Sequence, residues 1–399
     1  MNPFEDSQEN GEIQSAPEGA PFAEAAPEAA PARELASLTP KPVAGAPDAQ
    51  APRDLEWVFI GSQGLRAGWS VLIAVAVYQL FLRILSVVAV ELYPAIAEVD
   101  YSPMGVLIVE LIPLLAILAA GAFVARIEHR NLSGYNLGGV RRHRHFLSGL
   151  TAGFAALSVL VGALTWGRWL HFGPAALAGA DIFKVGALWA AAFASVALVE
   201  EGTFRCYLQF TLARGINFWW ALGAVVLACG NLAVRTGGNG AWGVYAAALL
   251  GLVPCLLLHW KKVEGSGFWQ AAWVTSTLFG MNHVTNSGEN WIGIFAAAAI
   301  GFVFCVSVRL TGSAWWAIGC HAAWDWSQTY FYGTADSGFV AHGHYLTTTP
   351  GGNALMSGGA DGPEGSLLVL PVVLLLLAAL LMIYGRGGSS APRLERTAG

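Results

Sequence analysis

The sequence predicts an all-α fold: a polytopic bundle of membrane helices behind a disordered N-terminal tail. Three observations predict it. Of 399 residues, 55% are hydrophobic and 12% charged, where a soluble globular domain carries about 25% charged residues; mean hydropathy is +0.53. Ten apolar runs follow residue 56, each near the ~20 residues that a spanning helix needs. Lys and Arg collect in alternate connections between those runs, as positive-inside orientation requires.

The elements follow in chain order. Residues 1–56 are rich in Ala, Pro and Glu, with too few large apolar side chains to build a core, and are expected to be a disordered cytoplasmic tail. This segment lacks the basic start and apolar centre of a signal peptide, so no cleaved leader is expected and insertion begins with the first helix. The membrane region spans 57–386, with runs at roughly 68–92, 104–125, 146–168, 183–212, 216–234, 241–260, 268–286, 291–309, 313–331 and 365–385. Residues 387–399 form a second short cytoplasmic tail.

Threaded from a cytoplasmic N-terminus, these runs put Arg66, Arg126, Arg130, Arg141, Arg142, Arg144, Arg214, Lys261, Lys262, Arg309, Arg386, Arg393 and Arg396 on one side. The other side holds mainly Arg168, Lys184 and Arg235, and its loops at 94–103 and 332–363 carry no Lys or Arg. Both termini are therefore expected in the cytoplasm, with the bilayer a bacterial plasma membrane. Trp69, Trp166, Trp219, Trp220, Trp260 and Trp291 lie near run ends, where amphipathic rings prefer the headgroup region. The net charge of −5 comes largely from the N-terminal tail and gives no support for nucleic-acid binding. All five cysteines fall inside apolar runs without CxxC spacing, the pattern of small core residues.

Glu200, Glu201 and Arg205 sit in Val199-Glu200-Glu201-Gly202-Thr203-Phe204-Arg205, inside an otherwise apolar run. Each ionisable group near a bilayer centre costs roughly 2.5–3.5 kcal/mol on insertion scales, so three on one helix must pair, line a polar cavity or do chemistry. Glu201 and Arg205 are i and i+4, stacked on one face, while Glu200 is rotated by about 100°. An unpaired carboxylate beside a polarised water is a general base. From this helix alone, a catalytic carboxylate and a structural ion-pair knot remain equally open.

Two further sites shift the balance. Phe279-Gly280-Met281-Asn282-His283 puts a histidine in another run, and His321-Ala322-Ala323-Trp324-Asp325 places a histidine and a carboxylate at i and i+4 on a third. A lone intramembrane histidine is usually a packing residue; two of them, one with a carboxylate able to fix its tautomer, form a site. At about 1.5 Å per residue, Glu200 lies about 18 Å from Leu212, His321 about 12 Å from Ser313 and His283 about 15 Å from Trp273. The three depths agree.

EExxxR, FxxxH and HxxxD, in that order on successive helices, resemble the CPBP (CAAX protease and bacteriocin-processing enzyme, or Abi) intramembrane endopeptidases, which include the type II CAAX prenyl proteases. Thr311 to Asp325 resembles the family's third motif over its whole length, and Gly-Pro-Glu-Gly-Ser at 362–366 resembles a stretch before the last helix of many bacterial members. The likeness runs from about Gly64 to Tyr384. It implies about eight family-core helices, with 216–260 adding about two as an insertion, and an activity: hydrolysis of a peptide bond near the C-terminus of a membrane-associated or prenylated, CAAX-type protein or peptide.

The resemblance also implies roles. Glu200 would activate the attacking water, and His283 would stabilise the oxyanion from the other side of the scissile carbonyl or hold a metal. Glu201 with Arg205 would be a structural pair that biases Glu200, and His321 with Asp325 would complete the polar wall. The family is described as metalloproteases. Glu200, His283 and His321 are the candidate ligands for Zn²⁺ or another divalent ion, although the HExxH spacing of zincins is absent, and a metal-free water activated by glutamate and histidine fits the same residues. Asp325 stands where many relatives have Asn. Arg83 and Glu110, in the first two runs, are expected to pair across helices or to snorkel; His342 and His344 are expected to be solvated.

Two rival classes remain. A non-catalytic protein of the same fold, serving bacteriocin immunity or as a membrane scaffold, is opposed by the intact motifs. A proton-coupled transporter is opposed by the lack of an internal repeat.

Overall fold

Each of the ten apolar runs forms a helix. The computed structural model describes residues 56–61, 64–94, 96, 100–238, 242–263, 265–286 and 288–385. Almost all of the expected N-terminal tail and the whole of the C-terminal one, with Arg386, Arg393 and Arg396, lie outside the described residues. The helices are α1 (Ala67–Leu92), α2 (Pro103–Ile127), α3 (Arg142–Trp166), α4 (Ala180–Ala213), α5 (Phe218–Thr236), α6 (Trp242–Trp260), α7 (Ser266–His283), α8 (Trp291–Thr311), α9 (Trp315–Asp325) and α10 (Val369–Tyr384). Seven of these, α1 to α6 and α8, are long and apolar enough to cross a membrane, so this is a multi-pass integral membrane protein.

The helix ends follow local chemistry. Ser102 caps α2 by accepting from the Gly105 backbone N–H at 3.2 Å, with Pro103 in the first turn. Asn290 caps α8, its Oδ1 accepting from the N–H groups of Ile292 and Gly293 at 2.8 and 3.3 Å. Gly312 then ends α8 at φ 73°, a left-handed conformation that glycine adopts without a Cβ clash.

At the centre lies α9, whose residues from Trp316 to Asp325 are all buried. It approaches α3 backbone to backbone. A Cβ built on Gly149 would collide with the Trp316 carbonyl, one on Gly153 with the Cys320 carbonyl, and one on Gly319 with the Phe146 carbonyl. This small-xxx-small face replaces the hydrophobic driving force that lipid cannot supply between helices, and it fixes the position of α9. Leu157, Leu160 and Leu164 of α3 pack into the same core as Trp316, Val372 and Leu376. Leu72, Val75 and Leu80 on α1, in contrast, are exposed, as lipid-facing side chains are.

The two ends of the bundle differ. At one end Glu128, just past α2, receives Ser70 Oγ at 2.6 Å, Arg214 Nη2 at 2.9 Å and the Tyr135 hydroxyl at 3.0 Å. Burial alone would raise its carboxyl, but the hydrogen bonds and charge of Arg214, with Ser70 and Tyr135, hold it below the ordinary carboxylate value. At the other end the connections fold into a cap. Strand Leu170–Phe172 pairs antiparallel with Thr348–Pro350, Tyr101 stacks on Phe339 at 5.3 Å, and the Asn290 backbone N–H donates to Asp361 Oδ2 at 3.2 Å. This cap is built from the loops that lack Lys and Arg at 94–103 and 332–363, together with their neighbours.

Candidate active site

Charged side chains meet where two helices leave regular α geometry. Directly after Glu201, α4 widens into a π segment over Gly202–Leu208, and directly after Asp325, α9 does the same over Trp326–Phe331. Such wide turns free backbone carbonyls and recur at functional sites. Here Asn136 Nδ2 donates to the Arg205 carbonyl at 2.8 Å. The first π segment begins one residue after the Glu200-Glu201 pair, so the widened turn lies next to both carboxylates.

Glu201 and Arg205 are fully buried, with Nη1 and Oε1 3.2 Å apart, as their spacing predicts. The same Oε1 accepts from His321 Nδ1 at 2.9 Å. Sequence reasoning assigned the tautomer-fixing carboxylate of His321 to Asp325; the structure gives Nδ1 to Glu201, from another helix. Asp325 Oδ2 instead faces His321 Nε2 at 3.3 Å, and Glu200 Oε2 approaches that nitrogen at 3.8 Å. The Arg205 guanidinium has no hydrogen-bond partner at Nε or Nη2. It lies instead over the rings of Phe279 and Phe304, at 4.2 and 5.3 Å. Gly301 makes room for it, since a Cβ there would stand 2.5 Å from Nη2.

His283 closes the set. Its Nδ1 donates to the Phe279 carbonyl one turn back at 2.8 Å, so its Nε2 is the nitrogen left for a ligand. Glu200, His283, His321 and Asp325 line one cavity of about 280 Å³, with Glu201 and Arg205 directly behind His321. The three helices thus bring their polar residues to one cavity, although the helix of His283 begins at Ser266 rather than near Trp273, so His283, its last residue, lies further from the helix start than the sequence estimate put it.

Three carboxylates in this cavity were not among the site residues read from the sequence: Glu110 of α2, and Asp336 and Glu364 of the cap. Glu110 was legible as a charge in an apolar run, but its expected partner was wrong. Arg83 is exposed on α1, and no ion pair joins the two among the described residues, because Glu110 faces the cavity that Glu200 also lines. Glu364 belongs to the Gly-Pro-Glu-Gly-Ser stretch; it accepts from Trp324 Nε1 at 2.9 Å and Ser337 Oγ at 3.2 Å. Nothing in the sequence around Asp336 signalled its role. His342 is exposed as expected, whereas His344 is half-buried against the Ala341 carbonyl.

The donors do not form a metal site as they stand. Among the described residues no three His, Cys, Asp or Glu side chains group as ligands for one ion, the expected set of Glu200, His283 and His321 included. Each imidazole gives its Nδ1 to an oxygen, of Phe279 or of Glu201, which leaves Nε2 of each for other partners.

Fold and site together define a multi-pass helical membrane protein with a carboxylate–imidazole cavity inside the bundle. The family model described as Type II CAAX prenyl endopeptidase Rce1-like matches residues 182–327. That stretch contains all seven residues of the three motifs, so the resemblance to the CAAX protease family stands on the segment that supplies the Glu200, His283, His321 and Asp325 side of the cavity. No curated protein and no solved structure gives a match to this chain.

Proposed function

We propose that the protein is an intramembrane endopeptidase that hydrolyses a peptide bond near the C-terminus of a membrane-associated or prenylated, CAAX-type protein or peptide. The observation that carries this reading is the convergence of Glu200, His283, His321 and Asp325 on one cavity from three helices. In the proposed mechanism Glu200 removes a proton from a water held between it and His283, and the hydroxide attacks the scissile carbonyl. In its imidazolium form His283, whose Nδ1–H is given to the Phe279 carbonyl, donates Nε2–H to the resulting oxyanion, an interaction whose loss costs about 10²–10³ in rate in other acyl-transfer sites. Glu200 then returns its proton to the departing amine. His321, bound at Nδ1 by Glu201 and flanked at Nε2 by Asp325, stands 3.8 Å from the oxygen of Glu200 and completes the polar wall beside it.

We place the Arg-rich end of the bundle, with both termini, in the cytoplasm on the positive-inside rule. The capped end of the cavity then faces the opposite side. The 216–260 segment, α5 and α6, is assigned as an insertion into the family core. The test is cleavage by purified protein: comparison of membrane fractions carrying wild-type or Glu200→Gln enzyme is expected to reveal a C-terminal or transmembrane fragment that only the wild type produces. Identical fragment patterns would overturn the reading.

A further inference from the structure

The charge of the cavity says something about its substrate. Five carboxylates line it, from Glu110, Glu200, Asp325, Asp336 and Glu364, and no Lys or Arg does. The cation nearest in the bonding network, Arg205, is already paired with Glu201 behind the wall. Two imidazoles, of His283 and His321, face these five carboxyl groups.

The bonds that the cap carboxylates do make come from neutral groups. Glu364 receives an indole N–H and a hydroxyl, and Asp336 receives the Thr329 hydroxyl at 2.5 Å. Neutral donors satisfy the oxygens but leave net charge uncompensated, which is costly in a low-dielectric site. The Asp336 carboxyl meets that cost by a shift toward its neutral form, since burial, with the charges of Asp325 and Glu364 beside it, pushes it well above the ordinary range; a cation beside it would favour its charged form again. Much of the remaining wall is apolar, with Val106, Val196 and Ile300 facing the same space as the polar Asn286 and Ser337. A cavity that mixes apolar side chains with carboxylates suits a Lys or Arg side chain, whose methylenes bury while its head stays polar.

We infer that this site takes a cationic segment, a membrane-associated peptide with Lys or Arg within a few residues of the scissile bond. The inference rests on the endopeptidase reading for the bond but not for the binding preference. It deepens that reading by adding a requirement: a C-terminal carboxylate close to the cleaved bond is repelled by this wall unless a neighbouring cation offsets it.

The test uses full-length Glu200→Gln protein in lipid nanodiscs and three membrane-anchored peptides, identical except for Lys, Leu or Glu beside the scissile region. At low salt the Lys peptide is expected to bind about ten-fold tighter than the Glu peptide, with the Leu peptide between them. Adding Asp336→Asn and Glu364→Gln, both of which keep an acceptor oxygen for the observed bonds, is expected to shrink that gap to about three-fold or less. Adding Glu110→Gln instead tests the opposite wall if the cap variant melts early. Equal binding of Lys and Glu peptides, or a preference for Glu, overturns the inference. If the Lys peptide binds selectively but wild-type protein cleaves none of the three, the endopeptidase reading fails while the preference stands; equal binding with cleavage of all three fails the preference alone.

Discussion

Glu201 Oε1 lies 2.9 Å from His321 Nδ1, joining two helices by a hydrogen bond in which the carboxylate is fully buried. The same oxygen takes Arg205 Nη1 at 3.2 Å. One carboxylate therefore neutralises a buried guanidinium and orients a cavity imidazole at once. Its neighbour Glu200, one residue back and a quarter exposed, points into the cavity.

That division predicts two different phenotypes for adjacent residues. Glu201→Gln leaves Arg205 buried without its counter-charge, a change that costs about 3–5 kcal/mol in comparable pairs. A marked fall in Tm is expected, together with lost activity. Arg205→Lys is expected to be nearly as damaging, since an ammonium cannot spread over Phe279 and Phe304 as the planar guanidinium does. Thermal melting in detergent checks both.

The contact between α3 and α9 predicts a steric effect. Gly153→Val forces a side chain into the Cys320 carbonyl, and a close backbone contact has no flexible atom to yield. Overpacking of this kind costs about 1–3 kcal/mol, and more where backbone must move. Because α9 carries His321 and Asp325, activity is expected to fall further than stability alone explains. The control is Gly162→Ala, also in α3, where a Cβ meets nothing within 4 Å.

Two carboxyls of the cap, outside the membrane helices, give a pH dependence. Burial, with the charges of Asp361 and Glu364, pushes Glu289 up to about 9; burial, with the charge of Glu364, pushes Asp361 up to about 7. A raised folded value means the folded form binds more protons, so this stabilisation is complete below the ordinary carboxylate range and is lost as pH rises through about 7 to 9. Glu128 at the other end has the opposite sign: its lowered value gives stability above the ordinary range that is lost on acidification. Hydrogen exchange at pH 5 and 9 is expected to show the cap loosening at the high value, and Glu289→Gln with Asp361→Asn is expected to flatten that change.

Sidedness is read by labelling. Val140 and Val340 are both exposed, the first in the connection between α2 and α3 and the second in the cap. In intact cells, Val340→Cys is expected to react with an impermeant maleimide and Val140→Cys only after permeabilisation. The reverse pattern would turn the assigned orientation over.

A further prediction concerns metal. Since the donors do not group as ligands, cleavage is expected to survive a strong chelator with less than about two-fold loss. Stoichiometric zinc in purified protein, with activity lost on its removal and restored on its return, would contradict the mechanism.

Much of this architecture was legible in the chain because the bilayer imposes a length: all ten apolar runs became helices. The meeting of Glu200, His283 and His321 in one cavity was legible from the motifs, whereas the height of His283 was not, because α7 starts at Ser266 and not near Trp273. Nor was azimuth. Which face of α2 turns inward decides whether Glu110 meets Arg83 or the cavity, and only packing against α4 settles it. The bond from Glu201 to His321 depends on the close approach of α9, set by Gly149, Gly153 and Gly319. Asp336 reaches the cavity through a loop whose course depends on distant partners such as Tyr101, so no local pattern marks it.

The central claim is that Glu200 activates water for peptide hydrolysis. Its most direct test is cleavage of a membrane-anchored peptide by purified Glu200→Gln protein against wild type, with Tm measured on the same samples. The account predicts a rate loss of about 10³-fold or more with Tm nearly unchanged, because the nearest charged partner of Glu200, His321, stands 3.8 Å away, beyond hydrogen-bond range. Cleavage by the folded variant at the wild-type rate would contradict it.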